Sequence, residues 1–315
     1  MTDLLKDIPI LQIQGKSYHE ALRFSHFAMA TVFEIFIIHD DARYAQQAVR
    51  EAWQELKRLE QELSRFIENS DISRINQLRA GQSIAIGLDT FECLRQCTQL
   101  HKDTSGAFDI SIGSLLKCRS DRKHPPSPKL LNRALRNKGM DLLVLDEIHT
   151  SVKRSTDSLS IDLGGFGKGY AIDRMADLLK EWEIDSALIH GGKSTVLALE
   201  APSGEKGWDV TLSHPGGKNE ILAHMLLNNR ALSGSGMQKG QHIIDPRTGH
   251  PVEGRLAAWA SAPPGATSDA LSTALMVMTP DEMKTFFSKE PDMQGMVIFQ
   301  DMEGNEENVL KWGEW

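Results

Sequence analysis

Cysteine, long apolar runs and surplus positive charge are what this sequence has little of, and each scarcity removes a class of protein. Its three cysteines, Cys93, Cys97 and Cys118, are an odd set in 315 residues. They form no C-x-x-C pair, so neither a disulfide framework nor a zinc site is expected, and the set fits a reducing compartment. Cys93 and Cys97, four apart in DTFECLRQCTQLHKD, read as core residues on one helix face. No apolar stretch reaches the ~20 residues that span a bilayer. The opening MTDLLKDIPILQIQGKSYHE carries early acids and no apolar centre of the secretory kind, so the chain as it stands reads as cytoplasmic, with no membrane span. With 35 Lys plus Arg against 43 Asp plus Glu, the formal charge is −8. No domain-wide basic footprint for nucleic acid exists, and the local basic runs at 117–123 and 129–138 read as solvated loop and helix.

What is present is an ordinary globular composition, 40% hydrophobic and 25% charged, at a length that can bury a core and a ligand cleft. Residues 26–38, HFAMATVFEIFII, form a β-rich apolar run, and a long amphipathic helix is expected from Asp40 to Leu63. LSRFIENSDISRIN then breaks at Asn69, Ser70 and Asp71, which carry turn and N-cap chemistry. A second helix is expected over Leu88–Thr104 and an exposed, proline-bearing excursion over 117–129. Strands are expected near Leu142–Asp146 and Ser158–Leu163, then in SALIHGG, STVLALE, WDVTLSH, Leu222–Leu227, Ala231–Ser235, AAWASAP and MQGMVIFQDMEG. Hairpins beside helices argue for an α+β fold rather than a regular βαβ series. No linker splits the chain, which reads as a single domain over 1–315, with two lobes around a cleft.

The most telling stretch is Ser160 to Asp173, SIDLGGFGKGYAID. Four glycines and Lys168 follow Asp162 and open a helix marked by Ile172, Met175, Leu178, Leu179 and Trp182. Glycines let backbone groups approach a ligand closely, and a helix N-terminus favours anions, so this pattern points to a phosphate-bearing ligand. It is not a dinucleotide fingerprint, because Tyr170 stands where the third glycine belongs. Gly192-Lys193-Ser194 has the tail of a Walker A loop, but position 187 is alanine and a strand-like VLALE follows. The structural alternative is that the glycines only let helix and sheet pack closely.

Two further segments carry chemistry-bearing residues. QHIIDPRTG gathers His242, Asp245, Arg247 and Thr248 around a turn set by Pro246 and Gly249. In an extended strand His242 and Ile244 share one face, with Ile243 on the other. His242 is a candidate general base, the alternative being a capped turn with a satisfied histidine. The preceding SGSGMQKG reads as a lid or hairpin tip. In SDALSTA, Asp269 and Thr273 are four apart and share a helix face, a half-site for a hard cation such as Mg²⁺; the alternative is that Ser268 or Asp269 merely caps the helix.

Taken together and in this order, these segments resemble the FAD:protein FMN transferase (ApbE) family over nearly the whole chain. The matching pieces are Met29-Ala30-Thr31, LSRFIENSDISRIN, Gly106-Ala107-Phe108-Asp109, Asp162-Leu163-Gly164-Gly165 with Lys168-Gly169-Tyr170, His242 through Gly249, and Asp269 with Thr273. The resemblance implies an α+β, mixed sheet-and-helix fold with an elongated FAD cleft. It implies Mg²⁺-dependent transfer of FMN from FAD to a Thr or Ser hydroxyl of a flavin-acceptor protein, with release of AMP. Met29 and Phe66 would flank the nucleotide; Ala107, Phe108 and Asp109 would contact it; Asp162 and Lys168 would anchor it. The main-chain oxygen of Gly165 and the side chains of Asp269 and Thr273 would hold the metal. His242 would be the base, and Asp245 and Arg247 would shape its loop.

The chain departs from the family pattern at Ala30, where glycine is usual, and at Lys193, where Asp or Asn follows the paired glycines. Most relatives are exported or lipid-anchored, and neither a signal nor a lipobox is visible here. Two other outcomes share these residues: a Mg²⁺-dependent FAD pyrophosphatase using water in place of the protein hydroxyl, and a non-catalytic FAD carrier.

Overall fold

The structure is a computed structural model that describes residues 11–13, 21–119, 126–215, 221–237, 243–300 and 307–315. A short strand, β1 (Leu11–Ile13), precedes a hairpin of β2 (Leu22–Ala28) and β3 (Thr31–Ile37). The apolar run expected over 26–38 is therefore not one strand. It turns at Met29 and Ala30, whose φ values of 49° and 58° give the two-residue turn that matches strand twist. Neither residue is a glycine or asparagine, so the turn has no sequence signal.

Helix α1 (Ala42–Leu63) starts where Asp41 accepts the N–H groups of Arg43 and Tyr44. It buries the stripe Ala45, Ala48, Val49, Ala52, Leu56, Leu59 and Leu63, whose spacing fits 3.6 residues per turn. Ser70 caps α2 (Asp71–Gln77) by accepting the Ser73 N–H, as the turn chemistry there predicts. There follow β4 (Ser83–Ala85), α3 (Leu88–Asp103), α4 (Gly113–Cys118), α5 (Pro128–Arg136), β5 (Leu143–Asp146) and β6 (Ser151–Arg154). Cys93 and Cys97 are fully buried on α3. Next come α6 (Gly167–Glu181), β7 (Ala187–Gly191), β8 (Thr195–Ala198), β9 (Trp208–Ser213), β10 (Ile221–Leu227) and β11 (Arg230–Gly236). The chain closes with β12 (Arg255–Ala262), α7 (Gly265–Leu275), α8 (Pro280–Lys289), β13 (Gln294–Gln300) and β14 (Glu307–Trp312).

An eight-stranded sheet in the order β14-β13-β12-β11-β8-β7-β3-β2 organises the molecule, and every neighbouring pair in it is antiparallel. Helices α1, α6 and α7 cover one face and enclose the larger core with Phe33, Ile35, Ile189 and Val297. The small sheet β1-β9-β10 covers the other, burying Trp208, Val210, Trp259 and Ile298. This is the α+β arrangement expected.

A third sheet has the order β4-β6-β5. Arg154 at the end of β6 is 2% exposed. Its guanidinium donates to the carbonyls of Ile75, Asn76, Thr156, Asp157 and Leu159, so a buried charge is satisfied entirely by main-chain oxygens. The strand expected over Ser158–Leu163 does not form a ladder. It makes a single parallel bridge, Ser160 to Ile112, while the Asn76 side chain takes a neighbouring strand's place by accepting from Ile161 N–H at 2.7 Å and donating to its carbonyl at 3.0 Å.

Candidate active site

Helices α6 and α7 meet N-terminus to N-terminus, and neither caps itself: the cap positions, Phe166 and Pro264, offer no side-chain acceptor. Each is capped by a carboxylate of the other. Asp173 of α6 accepts the N–H groups of Gly265 at 2.6 Å and Ala266 at 2.8 Å. Asp269 of α7 accepts the N–H of Gly169 at 3.2 Å. The exchange needs very close backbones, and a Cβ at Gly169 would lie 2.2 Å from the Gly265 oxygen. Close packing by glycine is thus real at Gly169, alongside whatever the loop binds. Burial pushes the Asp173 carboxyl up to about 7, against the pull of its two N–H donors.

Asp269 is 3% exposed. Lys168 Nζ lies 3.2 and 3.1 Å from its two oxygens, and Thr195 donates to Oδ1 at 3.4 Å. One turn on, the Thr273 hydroxyl stands 3.3 Å from that of Ser235, which is 2.9 Å from Ser272 Oγ. Gly165 closes this cluster, since a Cβ there would lie 3.0 Å from Thr273 Oγ1. The three residues expected to serve a metal, Gly165, Asp269 and Thr273, are therefore brought together with Lys168. Because α7 begins at Gly265, Ser268 and Asp269 are inside the helix and neither is its cap; Ser268 donates instead to the Ala260 carbonyl at 2.8 Å. Among the described residues no three His, Cys, Asp or Glu side chains converge as for a transition metal. One carboxylate with hydroxyls and a carbonyl suits a hard cation that leaves positions for phosphate oxygens.

Beside this cluster, Asp162 accepts the Gly164 N–H at 2.9 Å and pairs with Arg65 at 3.2 Å. The Arg65 guanidinium lies 4.5 Å from the Phe66 ring centre, and that ring is 82% exposed, a large apolar surface presented to a ligand or solvent. The Asp162 N–H donates to Ile110 at 2.8 Å, which sets the Ala107–Asp109 segment against the glycine loop. Ala107 and Phe108 are buried, so their side chains serve the core. Asp109 is also buried: Oδ1 accepts from Ser111 N–H and hydroxyl, whereas Oδ2 has no hydrogen-bond partner, with His101 Nδ1 and Lys138 Nζ each 3.7 Å away. Oδ2 is ion-paired with Lys138 but accepts no hydrogen bond, so it can accept one from a ligand donor. Met29 is half-buried at the hairpin turn, where its N–H donates to Glu60 at 2.7 Å.

His242 lies outside the described residues. The segment after it is a tight hairpin in which Asp245 N–H donates to His250, Val252 N–H to Ile243, and Gly249 turns at φ 71°. Ile243 and Ile244 are both buried, and Ile243 joins the larger core. Arg247 ties Asp245 to Glu282 of α8 at 3.0 and 2.6 Å, a bracing role. SGSG of the expected lid belongs to β11, and Ser233 within it is fully buried. Gly192-Lys193-Ser194 is the turn between β7 and β8, with no helix after it, which removes the P-loop reading. His190 is no alternative base: burial pushes its imidazole down to about 4. Thr195, Ser235, Glu60, Arg65 and Asp173 were not legible as site residues, because single polar residues in strands and helices carry no motif.

A glycine loop, one lysine and a cluster of oxygen-bearing side chains at two facing helix N-termini, on an antiparallel-sheet α+β fold, make a site whose chemistry suits a phosphate-bearing ligand. More specifically, the ApbE family model matches residues 29–297, and the chain belongs to that family. The FAD:protein FMN transferase of Haemophilus influenzae is 25% identical over 299 residues, covering 88% of this chain and 83% of its own. That of Chlamydia muridarum is 29% identical over 251 residues, covering 74% and 77%. The solved flavin transferase ApbE of Vibrio cholerae superposes with a TM-score of 0.82 at 21% identity, over 93% of this chain and 97% of that one, which establishes the shared fold.

Proposed function

We propose that this chain is an FAD:protein FMN transferase, moving FMN from FAD to a Thr or Ser hydroxyl of an acceptor protein with release of AMP. The observation that carries this reading is the convergence of Gly165, Lys168, Asp269 and Thr273 at the N-terminus of α6. Named relatives in the family carry this activity, and a helix N-terminus with a lysine and a hard-oxygen cluster has the chemistry to take a pyrophosphate with a cation.

Asp269, Thr273 and the Gly165 carbonyl are the groups that would hold Mg²⁺, which when bound supplies Lewis-acid stabilisation of phosphate charge. Lys168 and the α6 N-terminus contribute fixed positive charge to the pyrophosphate. Asp162 orders the glycine loop, and Met29 and Phe66 flank the nucleotide. Ala107 and Phe108 contribute main-chain groups, and Asp109 its Oδ2 oxygen. His242 takes the proton of the acceptor hydroxyl as that oxygen attacks phosphorus in line, and the AMP oxygen leaves.

The test is incubation with FAD, Mg²⁺ and an acceptor domain bearing an Asp-x-x-(Ser/Gly/Ala)-Ala-(Thr/Ser) motif, reading the acceptor's mass and free FMN and AMP. A covalent FMN adduct that EDTA prevents is expected. Free FMN and AMP without adduct would instead make the protein a pyrophosphatase, and unchanged bound FAD a carrier. His242→Ala should abolish transfer, by 10²-fold or more, with FAD still bound; equal loss of FAD binding would remove its role as base.

A further inference from the structure

We propose that Lys168 is a resident surrogate cation on Asp269, which a divalent ion displaces, so that nucleotide and metal binding are coupled through this one side chain. The inference rests on the metal reading above. Asp269 has 4% of its side chain exposed and would be an uncompensated buried charge without a partner. Lys168 is that partner, gripping both oxygens from a position that is 23% exposed and so has a way out.

The grip is loose. Its distances, 3.1 and 3.2 Å, exceed the ~2.7–2.9 Å of well-formed charge-assisted bonds. The other two donors to the carboxylate are no closer: Gly169 N–H at 3.2 Å and Thr195 Oγ1 at 3.4 Å. Four long contacts keep the carboxylate neutralised without saturating it. A cation that uses Asp269 with Thr273 and Gly165 must take over oxygens that the ammonium holds, and the displaced ammonium then needs an anion. A pyrophosphate at the α6 N-terminus is such an anion, within reach of the same stem. Binding of either ligand therefore removes part of the cost of binding the other, and the factor is the same in both directions.

The experiment titrates the full-length protein with Mn²⁺ as the probe cation, measuring free Mn²⁺ by electron paramagnetic resonance, with and without FAD. In wild type, FAD is expected to tighten Mn²⁺ binding at least tenfold. Lys168→Gln should bind Mn²⁺ at least tenfold more tightly than wild type without FAD, and its gain on adding FAD should shrink. Lys168→Arg keeps the charge and adds a fork that matches a carboxylate, so its FAD-free Mn²⁺ affinity should fall below wild type. The arginine variant keeps the proposal testable if the glutamine variant does not fold. Asp269→Asn should lose Mn²⁺ binding in every condition. Equal or weaker Mn²⁺ binding by Lys168→Gln, or tighter binding by Lys168→Arg, with Asp269→Asn inactive in binding, overturns the role of Lys168 and leaves the metal site standing. Wild-type Mn²⁺ affinity in Asp269→Asn overturns the metal site and the proposal with it.

Discussion

Ala30 holds a left-handed backbone, φ 58°, at a turn where its methyl group is a liability. An L-residue with a Cβ pays roughly 1–2 kcal/mol there, and glycine does not, although glycine gives back up to ~1 kcal/mol through the entropy of the unfolded chain. Ala30→Gly is therefore expected to stabilise the protein by about 0.5–1 kcal/mol, seen as a small rise in the thermal midpoint. A fall in that midpoint would mean that the alanine methyl makes packing contacts worth more than the strain. The same residue shows why the hairpin escaped sequence reading. A turn normally announced by Asn-Gly is held here by Glu60, 31 positions away, accepting the Met29 N–H.

At the scale of elements, the reciprocal capping of α6 and α7 decides where Lys168, Asp269 and Thr273 lie. Asp173 holds this junction, and its protonation has a sign that can be worked out. Its carboxyl is raised to about 7 in the folded protein, with burial as the main cause, from an ordinary value of 3.8. The native state therefore holds more protons than the unfolded state between those values, and stability must fall as pH rises from about 4 to 7. The slope from this one group is at most about 1.4 kcal/mol per pH unit. Asp177 and Lys180, on the same helix, act on the carboxyl in opposite directions, and neither changes the sign. Asp173→Asn should flatten that decline while keeping one acceptor for the α7 N-terminus. Parallel denaturant midpoints for the two proteins from pH 4 to 7 would show instead that the carboxylate is ionised throughout, its two N–H bonds outweighing burial. The long periodic helices were readable from sequence because one stripe carries their burial, α1 being the clearest case. The start of α7 was not, because its cap is a side chain 92 residues earlier.

On the scale of the whole molecule, the candidate site is assembled from Met29, the end of α1, the Asp109 turn, the glycine loop and α7, segments spread over more than two hundred residues. Motifs within one segment, such as the Asp269 and Thr273 spacing or the glycine loop, were legible because their geometry is local. Partners such as Ser235 for Thr273 depend on sheet register and were not. A site so dispersed exists only in the folded chain, so its ligands bind the native state alone and stabilise it by RT ln(1 + [L]/Kd), about 2.7 kcal/mol at a hundredfold excess over Kd. For a chain of this length that is a rise of roughly 4–6 °C in the thermal midpoint. FAD with Mg²⁺ should raise the midpoint by more than the sum of the two added singly, because each ligand favours the other. In Asp269→Asn the increment from Mg²⁺ should vanish while much of the FAD increment remains, since the Phe66 surface and the Asp109 oxygen are untouched. An unchanged Mg²⁺ increment in that variant would place the cation elsewhere, and the oxygen cluster between α6 and α7 would then be a structural joint and not the centre of the chemistry.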